Sequence, residues 1–62
     1  MKVLIYHNDE FLAETTGTRE AAMLVASREK VTNIFMVEQA IMNSILTGKK
    51  LGNYNFKFEE SE

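Results

Sequence analysis

Val31 to Lys50, VTNIFMVEQAIMNSILTGKK, is the stretch whose reading decides the fold. Val31, Ile34, Phe35, Val37, Ile41, Met42, Ile45 and Leu46 recur at three- and four-residue intervals, the spacing of an amphipathic helix. Glu38 is the one charge on that stripe, and Thr32, Asn33, Gln39, Asn43 and Ser44 make up a narrow polar face. An apolar arc this broad needs cover on more than one side. Gly48 suits the left-handed position that closes a helix, and Lys49 and Lys50 follow the negative end of the helix dipole. The helix is expected to end near Thr47.

Working outward toward the N-terminus, Ser27-Arg28-Glu29-Lys30 reads as a polar link, with Ser27 available to cap the long helix. Arg19 to Ala26, REAAMLVA, forms a shorter helix that offers Ala22, Met23, Val25 and Ala26 for burial. Thr18 is its expected N-cap, and Glu20 favours the positive end of its dipole. Without a glycine in the link, residues 27–30 leave open whether the two helices are one. Earlier still, Lys2 to Tyr6 is β-branched and aromatic. His7 to Glu10 is a polar turn with Asn8 and Asp9 suited to turn geometry, and Phe11 to Thr15 returns as the second strand of a hairpin.

Beyond the long helix, Gly52-Asn53 marks a turn, and Tyr54, Phe56 and Phe58 alternate with polar residues in a strand over 51–58. The three rings are expected to pack on the long helix. The expected whole is one α+β domain spanning 1–62, in the order β-β-α-α-β. A hairpin occupies 1–15, a helical pair 18–47, the closing strand 51–58 and an acidic tail 59–62. The antiparallel sheet packs on the two helices and satisfies the apolar arc of 31–46.

Composition narrows the function. With 62 residues and no cysteine, no disulfide or thiolate metal site is possible, and a single histidine offers a metal almost nothing. No cofactor is expected. The plain reading of His7 is a solvated turn residue. There is no Gly-rich phosphate loop and no nucleophile-histidine-acid set, so an enzyme is not expected. The opening MKVLIYHNDE meets charge too soon for a signal peptide or membrane span, and the chain is expected to be cytoplasmic. Net charge is −2, yet residues 15–58 hold six basic against three acidic side chains, so a local basic patch is available.

TGTREAA at 16–22, V-x-x-A-I at 37–41 and TGKKLGNYNFKF at 47–58 together resemble small phage-type helix-turn-helix modules and the DNA-binding repeats appended to homing endonucleases. The resemblance covers 16–58 and departs between Ala26 and Val37, where VTNIFM stands in place of a short Ser/Thr-rich turn. It implies a phage or prophage DNA-binding protein. Gln39, Asn43 and Ser44 would approach base edges, Lys49, Lys50 and Lys57 would contact phosphates, and Arg28 and Lys30 would help set register. The plainer reading of each is a solvated surface side chain. The aromatic trio suits base stacking in principle and core packing more simply.

The alternative is a protein-interaction module, such as an inhibitor of a host enzyme or a homodimer. Met23, Met36 and Met42 suit an adaptable interface. A basic stripe along 28–50 favours DNA, whereas an exposed apolar patch on 31–46 favours a protein partner or a second copy.

Overall fold

The computed structural model describes residues 2–60. Its elements are β1 (Lys2–His7), β2 (Glu10–Thr15), α1 (Thr18–Glu29), α2 (Ile34–Thr47) and β3 (Tyr54–Glu59). The strands form one antiparallel sheet in the order β2-β1-β3, giving the expected β-β-α-α-β fold of the α+β class. The expected hairpin start at Met1 and the last two residues of the tail lie outside the described residues. Among the described residues, no helix is long and apolar enough to cross a membrane.

The hairpin turns on Asn8 and Asp9, both with positive φ (54° and 68°). Two consecutive positive φ values give the twist that matches antiparallel strands, and Asn and Asp tolerate them better than most residues. His7 pairs with Glu10 and Tyr6 with Phe11, but Ile5 pairs with Ala13, so the register shifts between Ile5 and Tyr6. Leu12 is the extra residue of this bulge. It packs against the core, while Phe11 stays 58% exposed with its ring edge-on to Tyr6 at 5.8 Å.

The first helix departs from expectation at both ends. Gly17, not Thr18, holds the N-cap position, and no side chain caps it. Instead Glu20 accepts from the backbone N–H of Thr16 at 3.0 Å and from its hydroxyl at 2.6 Å, tying the first turn to the preceding residue. Thr18 donates its hydroxyl to Glu38 of α2 at 2.9 Å, which gives the charge on the apolar stripe a partner. At the other end, Ser27, Arg28 and Glu29 continue the helix, so the predicted link and the Ser27 cap are both displaced. None of these three residues breaks a helix, and Arg28 and Glu29 are both held by Tyr54 across the fold. The chain turns at Lys30, left-handed at φ 58°.

The long helix begins at Ile34 rather than Val31. Asn33 caps it, its side-chain oxygen accepting from the Met36 N–H at 3.1 Å. Its end is as expected: Gly48 is left-handed at φ 74° and donates its N–H to the Ser44 carbonyl at 2.9 Å. The closing strand starts at Tyr54 rather than Leu51. Leu51 and Tyr54 exchange two backbone hydrogen bonds of 2.9 Å around Gly52 (φ 61°), so 51–54 is a tight turn. A bond of 2.9 Å from the Asn8 N–H to the Asn53 carbonyl joins this turn to the hairpin. Glu59 pairs with Lys2, so the strand takes in the first residue of the predicted tail.

The core holds Val3 and Ile5 from β1; Ala21, Ala22, Val25 and Ala26 from α1; Val37 and Ile41 from α2; and Tyr54 and Phe56 from β3. Alanines at three of the four α1 positions let that helix lie close to its neighbours. It packs on β1, β2 and α2, while α2 lies over β3. Three expectations about burial fail here. Met23 is 54% exposed, and Ala21 takes its place in the core. Phe58 lies at the strand's far end and is 43% exposed, so only two of the three rings are core. Ser44, read as part of the polar face, is buried with its hydroxyl donating to the Lys49 carbonyl.

Candidate interaction surface

The apolar arc of α2 is only half covered. Each residue advances a helix by about 100°. On that wheel Val37, Ile41 and Ser44 form the buried side. Phe35, Gln39, Met42 and Leu46 fall within roughly 60° of one another on the opposite side. Phe35 is 69% exposed, Met42 39% and Leu46 79%; Met36, on the flank, is 56% exposed. The expectation that sheet and first helix would satisfy this arc is therefore overturned. The first helix and β3 reach one side of α2 and leave the other bare. Scattered exposed apolar residues are ordinary, but four on adjacent turns of one helix form a patch. The helix carries no Lys or Arg, and its one acidic residue is Glu38.

The residues expected to read and hold nucleic acid are dispersed. Gln39 and Asn43 are exposed on α2, Gln39 inside the apolar stripe and Asn43 beside Met36 on the wheel. Ser44 faces inward. Arg28 and Lys30 lie at the end of α1, where Arg28 Nε donates to the Tyr54 hydroxyl at 3.2 Å. Lys49 and Lys50 follow α2, and Lys50 Nζ lies 2.8 Å from Asp9 Oδ1. That exposed pair is worth little in stability, yet it partly neutralises the predicted phosphate contact. Lys57 lines a small hollow with Asp9, the partner of Lys50, and with Tyr6 and Asn55. It alternates with the buried Phe56, so it projects from the sheet face away from the helices, with Nζ 5.6 Å from the Tyr6 ring centroid.

A second feature escaped sequence reading. An open cleft of about 460 Å³ lies between the end of α1, the first turns of α2 and the 51–54 turn. Val31, Met36, Val37 and Leu51 supply apolar walls, and Glu29 and Tyr54 line it as well. Tyr54 donates to Glu29 at 2.7 Å, and its ring centroid is 4.6 Å from that of His7. Burial, and then the Glu29 hydrogen bond, push the Tyr54 phenol above its usual pKa. Its period-two spacing marked Tyr54 as a core residue; nothing local in the sequence links it to residues 25 positions earlier.

No family model matches the sequence, and no curated protein and no solved structure matches it.

Proposed function

We propose that this chain is a non-catalytic protein-interaction module that docks through the outward face of α2. The observation that carries the proposal is the exposure of Phe35, Met36, Met42 and Leu46 on a helix with no basic residue. A helix that reads DNA places polar and basic groups toward bases and phosphates. This one presents thioethers and a phenyl ring, which gain most by leaving water against another apolar surface. The lack of cysteine fits a cytoplasmic setting.

The experiment is affinity capture from host lysate with the tagged chain and with a Phe35→Glu/Leu46→Glu variant, both checked for helix content. One captured protein lost with the variant supports docking through this face. An unchanged captured set from a chain that also stays monomeric overturns it.

A DNA-binding reading, through the helix-turn-helix-like pair, rests on different groups. Arg28 with Lys30 and Lys49 with Lys50 are exposed at the chain segments flanking α2, where phosphates are within reach. Binding to non-specific duplex DNA across a salt series tests it. Replacing Lys49, Lys50 and Lys57 by Ala should flatten the log-log slope by about 2 to 3. Absence of binding at low salt overturns this second reading.

A further inference from the structure

We infer that the occupant of the outward α2 face is a second copy of this chain, with the two α2 helices packed antiparallel about a two-fold axis. The inference rests on the docking role proposed for that face and names its partner.

The spacing is that of a helix–helix seam. Phe35, Gln39, Met42 and Leu46 are separated by four, three and four residues, the alternation that keeps successive side chains facing one partner helix. A two-fold contact uses the same patch on both copies, so the patch has to complement itself. Run antiparallel, the seam places Phe35 of one copy against Leu46 of the other, and Gln39 against Met42. A large residue then meets a branched one at each end of the seam. A parallel arrangement sets Phe35 on Phe35 and aligns the two helix dipoles, whereas antiparallel dipoles attract.

Charge and area favour a copy over a foreign partner. The chain carries a net charge of −2, so like copies repel over most approaches. The outward stripe is uncharged: α2 has no Lys or Arg, and its only acid, Glu38, accepts from Thr18 at the stripe's edge. A binding surface for an oppositely charged partner would carry charge of its own. At the exposures given above, and with roughly 180 Å² for a large apolar side chain, Phe35, Met36, Met42 and Leu46 hold about 450 Å² per copy. With Gln39 and Asn43 added, two copies bury at most about 1,100 Å². Specific interfaces begin at about 1,000 Å², so the pair is of the weak, concentration-dependent kind.

Sedimentation equilibrium of the full chain over a concentration series tests this. The wild type should move from the mass of one chain to that of two, and Phe35→Lys alone or Leu46→Glu alone should weaken dimerisation at least tenfold. Residues 35 and 46 are roughly 16 Å apart along one helix, so they cannot pair within a chain. In the antiparallel pair they meet across the axis, so the F35K/L46E double variant should dimerise several-fold more tightly than the two single losses combined predict. A wild type that stays monomeric throughout overturns the inference, as does a dimer indifferent to both single changes. A double variant whose loss equals the sum of the two single losses overturns the antiparallel pairing. A monomeric wild type that still loses its captured protein in the Phe35→Glu/Leu46→Glu variant overturns the second copy alone and leaves the docking role standing. Circular dichroism on each variant keeps loss of fold separate from loss of pairing.

Discussion

Tyr54 donates its phenolic hydrogen to Glu29 at 2.7 Å, joining the first residue of β3 to the last residue of α1. Arg28 Nε donates to the same oxygen at 3.2 Å. One hydroxyl therefore satisfies two neighbouring charged residues and holds the end of α1 against the sheet.

Tyr54→Phe keeps the buried ring and removes both hydrogen bonds. Because Glu29 and Arg28 are exposed, the expected cost is modest, about 1–2 kcal/mol in urea unfolding. The pH dependence is more diagnostic. The folded-state pKa of Tyr54 is raised, so its contribution is fully present below the ordinary value near 10 and is lost as pH rises through the folded value. Unfolding midpoints followed across alkaline pH should fall for the wild type more than for the variant.

Ile41→Ala should be the most damaging single change on α2. Ile41 is fully buried opposite the exposed stripe. Truncating it costs about 2–4 kcal/mol, against a total of roughly 3–9 kcal/mol for a domain of this size. Thermal unfolding should show a large drop in midpoint, whereas Leu46→Ala, at 79% exposure, should change monomer stability by less than about 0.5 kcal/mol.

Gly48→Ala probes backbone conformation alone. Beyond the adjoining residues, no atom lies within 4 Å of where the new Cβ would sit, so only the left-handed φ of 74° opposes the change. The expected cost is about 1 kcal/mol, similar to that of removing the Asn33 cap by Asn33→Ala. Since the two sites close opposite ends of α2, the double variant should lose close to the sum in a denaturant titration.

Glu20 should leave a mark on acid stability. The Thr16 hydroxyl, and then the Thr16 backbone N–H, hold its carboxyl below the ordinary value of 4.5. A depressed folded-state pKa means that the contribution is present above 4.5 and is lost as pH falls through the folded value. Glu20→Gln should make the acid limb of a stability–pH curve shallower. The group is fully exposed, so the effect should be small and should shrink in salt.

The elements were legible because their signals are local. Two-residue alternation in KVLIY and YNFKF, the Asn8-Asp9 turn and the Gly48 stop each depend on a few adjacent residues. Element boundaries were less legible where tertiary partners intervene. Arg28 and Glu29 look like linker residues in the sequence and are helical in a structure where both bind Tyr54. The bulge at Leu12 was not legible either, because it depends on how β2 meets β1.

The amino-acid order alone determined that Phe35, Met42 and Leu46 share a face of one helix, because side-chain spacing follows from helical geometry. It did not determine that Val37 and Ile41 would be covered and that face left bare. Coverage depends on how many elements the rest of the chain supplies and where they pack. The first helix, meeting its neighbours through alanines and Val25, and the single strand β3 reach only one side of α2, so the tertiary structure decided where the open apolar surface lies.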